Sequence, residues 1–260
     1  MLELNHRSYG EPGNPALLLL HGLFGSATNW GSVARHFADR YHVLVPDLRN
    51  HGQSPHHAQH SYDAMVADVL ALLDRHAISR FALVGHSMGG KVAMQLALHH
   101  PQQVSALAVV DIAPIGYSHD FQSVLDAFHA VELTNLSNRA EADAQMAHEV
   151  PEPGIRAFLL QNLVKGPDGW AWRLNLDALN AAQADIVAFP AQAESARFDG
   201  PVSMIYGERS DYVLPQHRPR VRAYFPAAQF CEVADAGHWV YAEQPQGFLD
   251  CLTPFLHTSA

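Results

Sequence analysis

A serine between glycines lies where an apolar run meets a segment with helical spacing. Residues 81–98 read FALVGHSMGGKVAMQLAL, and within them GHSMG matches the pattern G-x-S-x-G. In this pattern the serine occupies a strained turn between a strand and a helix, and its hydroxyl is exposed for attack. Glycine suits the two outer positions because the backbone there approaches neighbouring chain closely. We therefore predict that Ser87 is the nucleophile of an acyl-transfer reaction.

A serine hydroxyl is a weak nucleophile at neutral pH, so it needs a nearby base and an acid that orients the base. His238, in AGHW, follows the last predicted strand and is the predicted general base. Two aspartates are candidates for the acid. Asp211 follows the strand that conventionally carries it, whereas Asp111 ends the strand after the serine helix. Topology alone favours Asp211, but either carboxylate could reach the same imidazole.

Backbone N–H groups are the predicted donors to a developing oxyanion. The apolar run 16–20 ends at HGLFGS, a tight loop beside the serine turn. In serine hydrolases of this topology, one donor comes from this loop and the other from the residue after the nucleophile. The helix after Ser87 also points its positive end at the site. We assign the oxyanion hole to the N–H groups of Leu23 and Met88.

An alternation of strands and helices must position these groups. The apolar runs have the composition of parallel strands buried on both faces, and stripes of helical period separate them. We expect an α/β fold with a mostly parallel sheet of about seven or eight strands and helices on both faces. The predicted buried strands cover residues 16–20, 41–45, 104–111, 201–206 and 229–233, in addition to the run that begins at Phe81.

The alternation stops between residues 117 and 197, where helical patches replace buried strands. We expect residues 1–114 and 200–260 to form the core and residues 115–199 to form an inserted helical cap. Caps over active sites govern substrate entry. The cap's aromatic and aliphatic side chains suggest an apolar acyl pocket, although they could equally pack the cap against the core. The candidate pocket residues are Phe24, His86, Phe158, Trp172 and Trp239.

Composition excludes several classes of protein. The 260 residues can form one large domain with a substantial core, and 48% of them are hydrophobic. A formal net charge of -10 argues against a nucleic-acid surface, which needs a clustered basic face. No apolar run approaches the ~18 residues of a membrane span. The first ten residues do not have the pattern of a secretory signal, so we expect a cytoplasmic protein.

Cysteines and histidines do not indicate a metal site. Cys231 and Cys251 lack metal-like spacing, so we expect reduced, partly buried thiols and no disulfide. A group of histidines in one loop has no carboxylate or cysteine companion, so we expect these side chains to face solvent. No metal and no cofactor is predicted. The histidines of this loop are His51, His56, His57 and His60.

Five segments together resemble the YbfF-type esterases of the α/β-hydrolase superfamily and their mitochondrial abhydrolase-domain relatives. They read HGLFGSATNW, DLRNHGQSP, GHSMGGKVAM, VVDIAP and AGHWVYAEQPQGF, and the likeness runs from about Ala16 to Phe255. The resemblance implies a carboxylesterase with Ser87 and His238 in its triad. It places Asp111 slightly ahead of Asp211, because the aspartate of VDIAP recurs in such relatives. It implies no catalytic role for His86 or Lys91.

The predicted function is a serine carboxylesterase acting on small to medium acyl esters through a covalent acyl-enzyme. The alternatives on the same triad are an acyl-thioesterase, a carbon–carbon bond hydrolase and a perhydrolase, because the triad does not choose the substrate. An alternative of another class is a ligand-binding protein that has kept the fold without catalysis. The expected partner is a small acyl ester or thioester, and the oligomeric state cannot be predicted.

Overall fold

Strands from the whole length of the chain meet in one sheet. The computed structural model describes residues 1–118, 120–193 and 195–259. Its strands are β1 His6–Tyr9, β2 Ala16–Leu20, β3 His42–Pro46, β4 Phe81–His86, β5 Val104–Val110, β6 Leu163–Gly166, β7 Gly169–Trp172, β8 Val202–Gly207 and β9 Ala228–Val233. Seven of them form a sheet in the order β1-β3-β2-β4-β5-β8-β9. Only β1 is antiparallel to its neighbour, so the predicted mostly parallel sheet is confirmed.

Helices connect the parallel strands and cover both faces of the sheet. In the described part of the chain they are α1 Gly31–Phe37, α2 Tyr62–Arg75, α3 Met88–His99, α4 Gln122–Ala130, α5 Arg139–Met146, α6 Pro153–Leu159, α7 Leu176–Ala181, α8 Gln183–Val187, α9 Arg218–Tyr224, α10 Val240–Glu243 and α11 Pro245–Ser259. None of these described helices is long and apolar enough to cross a membrane.

Two hydrophobic clusters lie on opposite sides of the sheet, which explains the uninterrupted apolar runs. In β2, Leu18 and Leu20 belong to the cluster that packs against α2, α3 and α9, whereas Leu17 and Leu19 belong to the cluster beneath α1 and α11. Successive side chains of a strand point to opposite faces, so a strand covered on both faces must be apolar at every position. Packing on both faces therefore fixes the positions of the carboxyl ends of the parallel strands.

The segment between β5 and β8 has a hydrophobic cluster of its own. Helices α4 to α8 contribute to it, and Phe24 from the core joins it. This segment also contains an antiparallel hairpin of β6 and β7, which the helical patches did not predict. Helix α6 ends at Leu159, and one 3-10 turn continues to Asn162 before the turn-forming sequence KGPDG pairs the two short strands.

The prediction of two reduced thiols is wrong. Cys231 in β9 and Cys251 in α11 are joined by a disulfide, with their Cα atoms 6.0 Å apart. The spacing of twenty residues gave no sign of this, because the pairing depends on how α11 packs against β9. Tertiary packing brings the two cysteines together, and the periodicity of the sequence does not predict this contact.

In the turn between β4 and α3, backbone atoms contact other backbone atoms directly, with no side chain between them. A Cβ atom at Gly85 would lie 2.6 Å from the Gly89 carbonyl carbon and 2.8 Å from the Gly90 nitrogen. A Cβ at Gly89 would lie 2.6 Å from the Leu20 carbonyl oxygen. Real Cβ atoms do not approach backbone this closely, so glycine at both positions lets α3 begin directly against β2 and β4.

We expect Gly85→Ala to destabilise the fold by about 3 kcal/mol, because the new methyl group has no room without moving backbone. Gly154→Ala is the matched control. A Cβ at Gly154 meets no atom within 4 Å, so this change should alter the free energy of unfolding by less than about 1 kcal/mol. Urea unfolding of both variants measures the difference, and equal stability of the two would contradict this account of the turn.

Candidate active site

Ser87 has a strained backbone at the junction of β4 and α3. Its φ is 51° and its ψ is -118°, and its N–H group donates to the Val110 carbonyl at 3.0 Å. A side chain at positive φ costs roughly 1–3 kcal/mol and persists only where the surrounding structure imposes it. The close packing of Gly85 and Gly89 imposes it here, and the serine hydroxyl is turned toward the cavity above the sheet.

Three side chains converge at the carboxyl ends of the strands. His238 Nε2 lies 3.1 Å from Ser87 Oγ, and His238 Nδ1 lies 2.7 Å from Asp111 Oδ2. A carboxylate only accepts hydrogen bonds, so Nδ1 carries the proton and Nε2 is free to accept one from the serine hydroxyl. This is the arrangement of nucleophile, base and orienting acid that serine hydrolysis needs.

The structure brings Asp111 to the imidazole, while Asp211 lies exposed on the loop after β8. Asp111 is 0% exposed and has a φ of 52°, so the chain turns sharply after β5 and directs the carboxylate inward. Its oxygens also accept from the Gly207 N–H at 3.1 Å and from Ser210 Oγ at 2.5 Å. These donors compensate a buried carboxylate, and sequence reasoning missed the role of Ser210.

Two aromatic rings hold the histidine from either side. His86 is buried, its ring centroid is 4.7 Å from that of His238, and its Nε2–H donates to the His238 carbonyl at 2.9 Å. Burial, together with the neighbouring His238, lowers the pKa of His86 well below its ordinary value, so the ring is neutral. The Tyr212 ring stacks on His238 with centroids 4.1 Å apart. Both contacts fix the plane of the imidazole.

The residues of the predicted oxyanion donors line the same cavity as Ser87. Met88 is the first residue of α3, and Leu23 precedes Phe24 in the loop after β2. Within the described ranges, no acceptor takes a hydrogen bond from the N–H of either Leu23 or Met88. Phe24 has a φ of 60°, its N–H donates to His51 Nε2 at 3.2 Å, and its carbonyl accepts from Asn162 Nδ2 at 2.8 Å. These two bonds hold the loop.

His51 and His60 are buried, contrary to the prediction that the loop histidines face solvent; His56 and His57 are exposed. His51 Nδ1–H donates to the Arg49 carbonyl at 2.9 Å, which leaves Nε2 as the acceptor for the Phe24 N–H. Burial lowers the pKa of His51 well below 6.5 and that of His60 to about 4. Among the described residues, no group of three ligands could hold a metal ion.

A cavity of about 220 Å³ opens above Ser87 between the core and the inserted segment. Phe24, His86, Phe158 and Trp239 line it, as the sequence analysis proposed. Trp172 does not, so that assignment is wrong. Its ring packs edge-on against Phe128 with centroids 4.8 Å apart, because the unpredicted hairpin turns it toward a different surface of the insert.

The chain is similar to known hydrolases over almost its whole length. A family profile described as the alpha/beta hydrolase fold matches residues 15–245. The sn-1-specific diacylglycerol lipase ABHD11 of Mus musculus is 44% identical, over 95% of this chain and 82% of that protein. Esterase YbfF of Escherichia coli is 34% identical over 98% of this chain and all of that protein. A solved marine microorganism esterase superposes with a TM-score of 0.94 at 32% identity, covering 98% of this chain and all of that one.

We expect Asp111→Asn to slow labelling of Ser87 by a fluorophosphonate by roughly 10³–10⁴-fold, because an amide at this position favours the wrong imidazole tautomer. Asp211→Asn is the matched control and should label within about twofold of the wild-type rate. The measurement is the rate of covalent labelling by intact mass. A large loss in Asp211→Asn alone would assign the acid to the exposed aspartate instead.

Proposed function

This chain belongs to the α/β-hydrolase family, as a hydrolase of the esterase and lipase kind, and we propose that it cleaves carboxylic esters through an acyl-enzyme on Ser87. The observation that supports this best is the chain of contacts from Ser87 Oγ to His238 and on to Asp111, at 3.1 Å and 2.7 Å. Each contact joins the groups and the ring nitrogens that the chemistry requires.

The reaction follows from the positions of the side chains. His238 Nε2 takes the proton of Ser87 as its oxygen attacks the ester carbonyl, and Asp111 stabilises the imidazolium that forms. The N–H groups of Leu23 and Met88 donate to the developing oxyanion. His238 then gives its proton to the leaving alcohol, and water activated by the same imidazole releases the acid from Ser87. The buried Ser210 hydroxyl holds the Asp111 carboxylate in place throughout.

The cavity supports an acyl group of small to medium length. Its walls are mostly apolar, with Phe121, Val124, Ile155 and Leu159 from the inserted segment. At about 220 Å³ it is smaller than the pockets of roughly 300–1,000 Å³ that hold drug-sized ligands. We assign residues 115–199 the part of a cap, since side chains of α4, α6 and α8 close the cavity opposite Ser87.

A thioester would form the same acyl-enzyme, since it differs from an ester only in the leaving group. Acyl-thioester hydrolysis is therefore the second candidate on this triad, ahead of other bond types. Non-catalytic ligand binding is less well supported, because the strained Ser87 would serve no purpose in a protein that only binds. The acyl group of a lipid ester, suggested by the name of the mouse relative, is compatible with the same cavity.

We expect Ser87→Ala to lower kcat for p-nitrophenyl butyrate by at least ~10⁴-fold, because the nucleophile is lost while the binding site remains. Ser123→Ala, an exposed serine on α4, is the control and should keep the wild-type rate. A panel of esters and thioesters from two to twelve acyl carbons, run on the wild type with Ser87→Ala as the blank, identifies the substrate. Hydrolysis by Ser87→Ala at the wild-type rate would show that the proposed nucleophile is wrong.

A further inference from the structure

Lys91 is a buried lysine that the proposed reaction does not use. The chain has two lysines, Lys91 and Lys165. Lys91 lies on α3, one turn after Ser87, and is 1% exposed, whereas Lys165 is exposed on the hairpin of the insert. Lysine is almost never fully buried unless its charge is compensated. None of the ion pairs in the described part of the chain includes Lys91, so its partners must be of another kind.

Three backbone carbonyls receive the ammonium group. Lys91 Nζ donates to the carbonyl oxygens of Ile186 at 3.1 Å, Val187 at 2.7 Å and Ala188 at 2.8 Å. An ammonium has three donors and no acceptor, so three carbonyls satisfy it completely. These carbonyls lie where α8 ends, and the last carbonyls of a helix have no partner within the helix. The lysine supplies the donors that this end of α8 lacks.

Other groups of the core hold two of the same three residues. The Tyr62 hydroxyl, on α2, donates to the Ile186 carbonyl at 2.7 Å, and the Tyr117 N–H donates to the Val187 carbonyl at 3.0 Å. The Tyr117 ring lies 5.1 Å from Lys91 Nζ. The carbonyls at the end of α8 therefore accept hydrogen bonds from donors on α2, on α3 and on the chain after β5.

The anchored residues form a wall of the catalytic cavity. Ile186 and Val187 line it, as does Lys91. Ile186 also belongs to the hydrophobic cluster of the inserted segment. The position of this wall relative to Ser87 thus depends on the bonds that Lys91 and Tyr62 make across the boundary between core and insert.

We propose that Lys91 is a positioning residue that holds the chain at Ile186–Ala188, and with it the cavity wall formed by Ile186 and Val187, and so limits the length of the acyl group accepted. The statement that the ligand is an acyl group rests on the proposed esterase function. The anchoring of residues 186–188 by Lys91 does not depend on that function. Without Lys91 the Ala188 carbonyl loses its donor, and the Ile186 and Val187 carbonyls each keep one donor in place of two. A partly buried carbonyl without a donor is unfavourable. The wall then moves toward solvent, and the cavity lengthens.

Lys91→Met tests the proposal, because methionine keeps a similar length and removes every donor. We expect the ratio of kcat/KM for p-nitrophenyl octanoate to that for the butyrate to rise at least fivefold, mainly through KM. Tyr62→Phe removes one donor to Ile186 and should shift the ratio in the same direction by a smaller factor. Lys165→Met, the only other lysine changed in the same way, should leave the ratio unchanged.

Hydrogen exchange gives a readout that needs no substrate. Amides of residues 183–189 should exchange at least tenfold faster in Lys91→Met and in Tyr62→Phe than in the wild type or Lys165→Met. An unchanged acyl-length ratio and unchanged exchange in both folded variants would overturn the proposal. Failure of the wild type to hydrolyse any ester, with the exchange result as expected, would instead overturn the esterase function and leave the anchor established.

The ionisation of Lys91 can be followed directly. Burial lowers the pKa of Lys91 to about 7. In protein labelled with ε-¹³C lysine, we expect one resonance to titrate near pH 7 and to disappear in Lys91→Met. Titration of this resonance only above pH 9 would contradict the assignment. The titratable side chains around the anchor and across the cavity are Tyr62, Tyr117, Asp185, Asp120, His86, Tyr212 and His238.

The sign of the effect on stability follows from the lowered pKa. The unfolded chain, with an ordinary lysine pKa of 10.5, binds more protons than the folded chain between about pH 7 and pH 10. The free energy of unfolding of the wild type, relative to Lys91→Met, should therefore rise with pH in this window and stay constant below it. Urea unfolding at pH 6, 7.5 and 9 measures this difference, and a fall with rising pH would contradict it.

Discussion

The contact of α3 with β2 and β4 is the constraint on which the site depends. Backbone of the helix start lies directly against the Leu20 carbonyl, which only glycine at position 89 permits. Because α3 is held so closely, Ser87 cannot relax to an ordinary backbone conformation, and its N–H must bond to Val110 on the neighbouring strand. The same contact places the Met88 N–H and the Lys91 side chain relative to the sheet. A single backbone packing arrangement thus orients the proposed nucleophile Ser87, one proposed oxyanion donor and the proposed anchor of the cavity wall.

Buried neutral histidines connect the loops around that contact. His21 donates from Nδ1 to the Gly22 carbonyl at 2.8 Å and accepts the Leu48 N–H at Nε2, 2.9 Å away. His51 joins Arg49 to Phe24 in the same way, and His86 holds the backbone of His238. A neutral imidazole has one donor and one acceptor, so it can join a carbonyl to an N–H. Burial keeps the pKa of each ring low, which preserves the acceptor that protonation would remove.

The features that local sequence predicted are those set by neighbouring residues. The turn at Ser87 needs a strand, glycines and a helix, and all of these lie within eighteen consecutive residues. The choice between Asp111 and Asp211 depends instead on the positive φ after β5 and on donors from a loop about 100 residues later. The pairing of Cys231 with Cys251 and the direction of Trp172 likewise depend on how distant elements pack. Periodicity describes one helix or strand at a time and carries no information on contacts between distant elements.

The inserted segment is joined to the core by side chains that bond to backbone carbonyls. Asn162 donates to the Phe24 carbonyl at 2.8 Å, and three carbonyls at the end of α8 accept from Lys91. Three of the four accepting residues, Phe24, Ile186 and Val187, border the cavity. Breaking the Asn162 bond would cost the buried Phe24 carbonyl its donor, which is worth about 1–3 kcal/mol. By contrast, Phe158 meets Trp239 through ring contact, with centroids 5.4 Å apart. The polar bonds set the depth of the cavity. The contact of Phe158 with Trp239 lies at its rim, and these two rings can separate without leaving a buried donor or acceptor unpaired.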